Sequence, residues 1–382
     1  MVEVESILRI NPLYRCFIAT GGIGTGKFFE LRGNHTLGRE ESRPGHFLDR
    51  KDYCKLHIVS HYVGVLMGNK IEVYPVGMVG DDEDGRKLLE EMRNAGLRLD
   101  FVRKVAEKPT LFSFCFIYPD GSGGNMTTDD SASSLVSPDY IKEVKGLFEK
   151  HRGEGIACAL PEVPVEARFE LLKLGRKYGF FNVASFTSDE IKWVIDSNVL
   201  KYVDLLSINS DEARILVDQT TVKSERILEN TGVSAGFVSS GISGSGKNKI
   251  KIGGVLSENY EKIFELAVEF LRDYYPDVLL TVTCGKEGSW SWDRVRVQHL
   301  SPPEVSVKGT SGAGDAFLAG VICGLFAGFP LHEAHHLGNA LSAMAVTSPH
   351  TINFDITSAS FIGFLKENNV KLPDSFYKKL FI

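Results

Sequence analysis

The 382-residue sequence has few cysteines and no excess of positive charge. The two closest of its six cysteines, Cys16 and Cys54, are 38 positions apart, so the chain has no Cys-x-x-Cys pair of the kind used for zinc, redox chemistry or haem attachment. Its 43 Lys and Arg residues are outnumbered by 49 Asp and Glu residues, which gives a net charge of −6. This balance argues against a protein that binds nucleic acid through the phosphates, and we expect no nucleic-acid partner.

Long hydrophobic runs are also absent. The longest uncharged apolar stretch, residues 316–331, falls short of the roughly 20 residues that span a bilayer, so we expect no membrane partner. The acidic start, residues 1–5, is not followed by an apolar stretch of the signal-peptide type. Widely spaced cysteines are typical of buried thiols in a reducing compartment. We therefore expect a cytoplasmic protein.

Short apolar runs alternate with longer amphipathic segments along most of the chain. This alternation predicts βαβ units, a mainly parallel sheet and the α/β fold class. The aromatic run at residues 110–118 ends in a Pro-Asp-Gly turn signal and predicts a hairpin beside that sheet. Residues 232–254, rich in Ser, Gly and Lys, are expected to form a surface insertion. The predicted strands are residues 16–20, 73–76, 156–160, 205–208 and 278–283, and the predicted helices include residues 85–95 and 165–178.

Two segments, residues 21–27 and 241–247, have the glycines and the lysine of a phosphate-binding P-loop. That loop needs a Ser or Thr directly after the lysine to bind Mg²⁺, and this chain has Phe28 and Asn248 there. The second segment also runs into a strand-like alternation, whereas a P-loop opens a helix. Both segments are better interpreted as glycine-rich loops, and a P-loop NTPase is the less favoured alternative.

The strongest chemical signal is a run of small residues, Gly312, Ala313 and Gly314, directly before an apolar helix. Small residues there leave the backbone N–H groups of the helix N-terminus free to bind an anion such as phosphate. Asp315 falls in the first turn of this helix. It is either a capping carboxylate or the general base of a phosphoryl transfer, a reaction that needs one group to accept the proton of the attacking hydroxyl.

With its helix, this Gly-Ala-Gly-Asp run resembles the second signature of the ribokinase-like carbohydrate kinases, also called the pfkB type. Further segments are similar to that family in the family's order, and together they extend over roughly residues 60–350. They are the Gly-x-Val-Gly-Asp-Asp turn with its helix (residues 76–97), the second half of the β-lid (109–121), the Asn-x-x-Glu element (204–213), the Thr-x-Gly-x-x-Gly turn (281–288) and the late helix (338–347).

The resemblance implies one ribokinase-like domain, residues 1–382, with a three-layer α/β/α fold and a small β-lid from roughly residues 27–48 and 108–128. It also implies ATP-dependent phosphorylation of a hydroxyl on a sugar or sugar-like molecule, with Mg²⁺. On that basis Asp315 is the catalytic base and the amides of Gly312, Ala313 and Gly314 form an anion hole. The other implied site residues are Glu212 for the metal, Asn209, Thr283, Gly285, Gly288 and Asn339 for the nucleotide, and Gly80 and Asp81 for the substrate.

The N-terminal third departs from the family pattern. Family members tend to have an acidic residue just after the first strand and a Gly-Gly-x-x-x-Asn segment, and neither is recognisable here. The polar residues nearby that could take over sugar binding are Asn34 and Asp49, with Asp52 and Glu30 as further candidates.

Several alternatives stay open. The acidic cluster at residues 81–84 suits a solvated helix start, Asn209 and Glu212 suit a helix cap, and Thr283 and Gly285 suit an ordinary turn. A nucleoside is an alternative acceptor to a sugar, because aromatic residues of the lid could stack on a base. These residues are Phe28, Phe29, Phe47, Phe112 and Phe114. A non-catalytic sugar- or nucleotide-binding regulator is a further alternative, and the resemblance also allows a homodimer formed through the lid.

Overall fold

The structure is a computed structural model that describes residues 13–219 and 259–370. The expected insertion at residues 232–254 and the glycine-lysine segment at residues 241–247 lie outside these ranges. Thirteen strands are found in the described residues, and they form two sheets. The strands are β1 (Cys16–Thr20), β2 (Gly24–Leu31), β3 (Gly45–Tyr53), β4 (Glu72–Gly80), β5 (Val102–Val105), β6 (Leu111–Ile117), β7 (Gly123–Thr127), β8 (Gly155–Ala159), β9 (Phe181–Ala184), β10 (Leu205–Asn209), β11 (Leu279–Thr283), β12 (Ser289–Trp292) and β13 (Val297–Leu300).

Eleven helices are described beside short 3₁₀ turns. Most connect successive parallel strands, as the βαβ alternation of the sequence predicts. The helices are α1 (Lys55–Met67), α2 (Glu83–Asn94), α3 (Pro138–Lys142), α4 (Lys145–Lys150), α5 (Val165–Tyr178), α6 (Ile191–Asp196), α7 (residues 210–219), α8 (Tyr260–Tyr274), α9 (Ala313–Phe326), α10 (Leu331–Ala345) and α11 (Ser358–Glu367).

The main sheet has nine strands in the order β13-β12-β11-β10-β9-β8-β1-β4-β5. It is parallel from β11 to β5, and β12 and β13 extend one edge in antiparallel fashion. Its central strands, such as β1 and β8, are buried on both faces, which is why they read as continuous apolar runs in the sequence. In β1, Phe17 and Ala19 join one buried cluster, whereas Cys16 and Ile18 join the other.

Helices cover both faces of the main sheet and give the molecule three layers. Helices α1, α2, α9, α10 and α11 contribute to the first buried cluster, and α3 to α8 contribute to the second. No helix in the described ranges is long and apolar enough to cross a membrane. The expected α/β class with a mainly parallel sheet is confirmed.

The small sheet, as we call β3-β2-β6-β7, lies beside the main sheet. Strands β6 and β7 form the hairpin predicted from the aromatic run, with Ser113 opposite Thr127. The glycine-lysine segment at residues 21–27 runs directly into β2 and not into a helix. This confirms that it is not a P-loop.

Candidate active site

The candidate site lies at the carboxyl ends of the parallel strands, where open α/β sheets bind their ligands. Strands β8, β10 and β11 end there, and helix α9 begins there. Two cavities meet at this edge: cavity A, of about 830 Å³, and cavity B, of about 650 Å³. Gly312, Asp315 and Lys55 line both cavities.

The start of α9 has the backbone geometry that its sequence predicts. Gly312 is the N-cap residue with φ 81°, and a Cβ at this position would lie 2.5 Å from the carbonyl oxygen of Thr351. Only glycine therefore fits there without strain. The N–H of Ala313 donates to the carbonyl oxygen of Thr310 at 3.2 Å. The N–H groups that follow in the first turn have no acceptor within the helix and are available to an anion.

Asp315 lies in this first turn and is part of the wall shared by the two cavities. Its side chain is 16% exposed, and Oδ1 accepts a hydrogen bond from the Lys55 ammonium at 3.4 Å. A carboxylate at the junction of two cavities, beside a helix N-terminus, can accept a proton from a group in one cavity while an anion occupies the other.

Cavity A contains the residues implied for nucleotide and metal binding. Glu212 and Asn209 cap helix α7 reciprocally: Asn209 Oδ1 accepts from the N–H of Glu212, and Glu212 Oε2 accepts from the N–H of Asn209 at 2.8 Å. The capping alternative is therefore confirmed, and the same two side chains still line the cavity. Burial raises the pKa of Glu212 to about 7.

The opposite wall of cavity A is formed by the turn after β11 and by α10. Gly285 and Gly288 have φ values of 55° and 90°, which permit the turn between β11 and β12. Asn339 of α10 donates through Nδ2 to the carbonyl oxygen of Ser301 at 2.8 Å. These residues and Thr283 all line the cavity.

Cavity B lies between the small sheet and Asp315. Asp52 of β3 lines it, is 5% exposed and accepts hydrogen bonds from Ser113 Oγ and from Cys115 Sγ. Burial raises the pKa of this carboxyl group. A Cβ on Gly26 would lie 2.8 Å from Asp52 Oδ2, so the carboxylate from β3 occupies the space of a side chain on β2.

Glu162 also lines cavity B. It follows β8 with φ 75°, a left-handed conformation that is rare for a residue with a side chain. Its Oε2 accepts from the N–H of Lys55, the first residue of α1, at 3.0 Å. Burial raises the pKa of Glu162 to about 7, although Lys55 acts in the opposite direction.

Four predicted substrate residues lie outside both cavities. Gly80 packs against Asp82 and Thr110, and its N–H donates to Thr110 Oγ1 at 3.0 Å. Asp81 is exposed and pairs with Lys104 and Arg86, as expected for a solvated helix start. Asn34 accepts from the backbone of Asp120, and the exposed Asp49 points to the other side of β3.

The other two polar candidates, Asp52 and Glu30, both line cavity B.

Sequence reasoning missed Lys55 and Glu162 altogether. Lys55 reaches Asp315 across 260 positions, and Glu162 reaches Lys55 across 107. No local spacing in the sequence points to either contact.

The described residues contain no group of three or more His, Cys, Asp or Glu side chains that could hold a metal ion alone. Mg²⁺ is commonly bound by one or two carboxylates together with phosphate oxygens and water. Glu212 in cavity A fits that arrangement, because it offers a carboxylate beside the anion-binding end of α9.

A family model described as the pfkB family carbohydrate kinases matches residues 59–245 and 267–358. The chain belongs to this family. The pfkB assignment makes it a phosphotransferase that acts on an alcohol group of a carbohydrate. An uncharacterised sugar kinase of Archaeoglobus fulgidus is 25% identical over 276 residues, which cover 72% of this chain and 92% of that protein.

Solved structures show the same fold. A ribokinase from Cryptococcus neoformans in complex with ADP superposes with a TM-score of 0.67 at 16% identity, covering 92% of this chain and 99% of the other. A nucleoside kinase from Burkholderia thailandensis in complex with inosine gives a TM-score of 0.64 at 14% identity, covering 92% and 97%. The ribokinase-like fold expected from the sequence is confirmed.

Proposed function

We propose that this pfkB kinase transfers the γ-phosphoryl group of ATP to a hydroxyl of a sugar or sugar-like molecule, with ATP in cavity A and the acceptor in cavity B. The observation that carries the proposal is the position of Asp315 at the wall shared by both cavities, in the first turn of α9. The residues implied for nucleotide binding all line cavity A, and the ADP complex of the similar ribokinase supports an adenine nucleotide there.

Asp315 acts as the general base in this proposal. It accepts the proton of the acceptor hydroxyl as that oxygen bonds to the γ-phosphorus and the bond from phosphorus to the bridging oxygen breaks, which releases ADP. The free N–H groups in the first turn of α9, at Gly314 and Asp315, stabilise the negative charge of the transferred group, whereas the N–H of Ala313 already donates to Thr310. Both roles require an acceptor hydroxyl close to Asp315.

Mg²⁺, when bound with the nucleotide, neutralises phosphate charge. Glu212 is the residue that we assign to it, with Asn209 orienting the Glu212 carboxylate through their reciprocal cap. The burial that raises the pKa of Glu212 makes a nearby cation favourable, because the cation stabilises the ionised carboxylate.

Asp52 is the residue that we assign to acceptor recognition. It is a buried carboxylate in cavity B, and carboxylates are strong acceptors for sugar hydroxyls. The small sheet that carries Asp52 acts as a lid that excludes water from the reacting groups. In the described part of the chain, the lid and the main sheet then form a single kinase domain.

A nucleoside is the second candidate acceptor. Phe28 of the small sheet lines cavity B, and aromatic rings can stack on a base. The similar nucleoside kinase supports this candidate at the level of the fold. A binding-only regulator is less favoured, because Asp315 and the free amides of α9 are both in place.

The outer face of the small sheet supports a homodimer. Phe29 packs edge-on against Phe47 with ring centroids 5.1 Å apart, and Phe47 and Met126 are 59% and 55% exposed. Clustered exposed apolar side chains of this kind mark interaction surfaces.

The six cysteines are free and buried, which supports the proposed cytoplasmic location.

An acceptor panel tests the proposed function. ADP release from ATP in the presence of Mg²⁺ is measured with a panel of sugars, sugar phosphates and nucleosides as acceptors. We expect turnover with one group of acceptors. Turnover confined to nucleosides would select the second candidate, whereas ATP binding without turnover on any acceptor would favour the regulator.

A further inference from the structure

Lys55 is, among the described basic residues, the one that lines both cavities. Arg50 and Lys308 line cavity B alone, and Lys286 lines cavity A alone. A cation at the junction of the two cavities lies where a phosphoryl group must pass from donor to acceptor.

Hydrogen bonds from both the backbone and the side chain fix the position of Lys55. Its backbone N–H donates to Glu162 Oε2 at 3.0 Å, and this contact anchors the first turn of α1. Its ammonium donates to Asp315 Oδ1 at 3.4 Å. The side chain is 33% exposed and lines both cavities. An ammonium group has three N–H donors, and the contact with Asp315 uses one of them.

The charges around Lys55 are acidic. The pKa of the Lys55 ammonium is raised, mainly by the negative charge of Asp315 and also by those of Glu162 and Glu212. Burial acts in the opposite direction but does not outweigh these charges. Lys55 therefore stays charged at neutral pH. Without it, no described basic residue would line both cavities, and the carboxylates of Asp315, Glu162 and Glu212 would repel an incoming phosphoryl group.

We propose that Lys55 is a catalytic residue whose ammonium binds the γ-phosphoryl group of the nucleotide and stays with that group as it moves from cavity A to cavity B. This inference rests on the proposed function. Lys55 gives up no proton in the step: the proton of the acceptor goes to Asp315, the new bond joins the acceptor oxygen to phosphorus, and ADP leaves. The ammonium supplies charge where negative charge develops, as a preorganised group.

The test compares a nucleotide that has a γ-phosphoryl group with one that lacks it. Binding of AMP-PNP and of ADP, each with Mg²⁺, is measured by calorimetry in the wild type, in Lys55→Met and in Lys55→Arg. We expect Lys55→Met to lose affinity for AMP-PNP by about tenfold or more, the effect of one charge-assisted hydrogen bond, and to bind ADP within about twofold of the wild type. Lys55→Arg keeps the charge and should retain part of the preference.

Turnover gives the second readout. Loss of one preorganised donor lowers kcat by about 10²–10³-fold. We expect this fall in Lys55→Met with little change in the KM of the acceptor. Lys87→Met is the matched control, because Lys87 lies on the exposed face of α2 and pairs with Glu83. It should leave both binding and turnover unchanged.

The possible outcomes distinguish the proposed role of Lys55 from the proposed kinase function. Equal losses of AMP-PNP and ADP affinity in Lys55→Met would show a structural role and overturn the inference, as would unchanged binding and turnover. In either case wild-type turnover would leave the proposed kinase function intact. A wild type that binds neither nucleotide would overturn both.

Discussion

At the scale of single residues, the site is held together by charged groups that come from distant parts of the chain. Asp52 is buried and Glu212 and Glu162 are half-buried, and this burial raises the pKa values of all three carboxyl groups. Burial of a carboxylate without a full set of partners costs stability, so groups of this kind indicate a site built for a ligand.

Glu212→Gln tests that cost. The pKa of Glu212 is raised in the folded state, so ionisation favours the unfolded state between the unfolded pKa, near 4.5, and about pH 7. Stability contributed by this group is thus complete below pH 4.5 and is lost as the pH rises to about 7. Gln keeps the oxygen that accepts from Asn209 and removes the ionisation. We expect Glu212→Gln to increase the free energy of unfolding at pH 8 by on the order of 1–3 kcal/mol, and therefore to raise Tm at that pH. At pH 4.5 we expect Tm to be unchanged.

The same variant should also need more Mg²⁺ for turnover, because Gln is a weaker ligand than a carboxylate. Thermal unfolding at the two pH values and a Mg²⁺ titration of activity check both effects. A variant with lower Tm at pH 8 and an unchanged Mg²⁺ requirement would show that Glu212 is only a helix cap.

Asp52→Asn tests acceptor recognition. Since Asp52 lines cavity B and no part of cavity A, we expect a rise in the KM of the acceptor of about tenfold or more, with the KM of ATP unchanged. Steady-state kinetics with Asp49→Asn alongside distinguishes two candidates on the same strand. A larger effect at Asp49, which lies outside cavities A and B, would contradict the assignment.

At the scale of elements, the sequence predicts most of what the main sheet contains. Strand β1 and helix α5 have the predicted bounds. Strand β4 was predicted to end before Gly77, and it continues to Gly80 because β5 pairs with this second half, Gly77 opposite Val102. Such pairing is a tertiary contact that local patterns do not contain.

The site could be predicted only where its residues are close in sequence. The run from Gly312 to Asp315 and the Asn209–Glu212 cap are local, and their patterns identified them. The contacts of Lys55 with Asp315 and of Asp52 with Ser113 depend on how separate elements pack. Gly80 and Asp81, which the resemblance implies for the substrate, line neither cavity: Gly80 contacts Thr110, and Asp81 pairs with Lys104 and Arg86.

Gly312→Ala tests the start of α9. The positive φ and the 2.5 Å approach of a Cβ to Thr351 predict a loss of at least about 1–2 kcal/mol of stability together with loss of turnover. Gly363→Ala is the matched control, because Gly363 is inside α11 with no atom within 4 Å of the added Cβ. It should gain about 0.5–1 kcal/mol. Chemical denaturation measures both, and a neutral Gly312→Ala would contradict the description of this helix end.

At the scale of the whole molecule, the two faces of the small sheet have different surroundings. Its inner face lines cavity B with Phe28 and Asp52, and its outer face exposes Phe47 and Met126. Strand alternation places neighbouring residues on opposite faces, so one sheet can close a site and contact a second copy of the chain.

Phe47→Glu tests the homodimer. We expect the wild type to sediment as a dimer at micromolar concentration and Phe47→Glu as a monomer, because a charge on the aromatic cluster opposes its burial. Val295→Glu is the control, since Val295 is an apolar residue, 87% exposed, in the turn before β13 and outside the small sheet. A monomeric wild type, or a dimer that persists in Phe47→Glu, would contradict the proposed interface.

The central claim is that Asp315, at the junction of the two cavities, is the base of a phosphoryl transfer. The most direct measurement is the turnover number of Asp315→Asn with ATP, Mg²⁺ and the preferred acceptor, with ADP affinity determined on the same protein and Asp139→Asn, a surface substitution, as control. We expect turnover to fall by about 10²–10⁴-fold while ADP affinity is kept. Full turnover in Asp315→Asn would contradict the account.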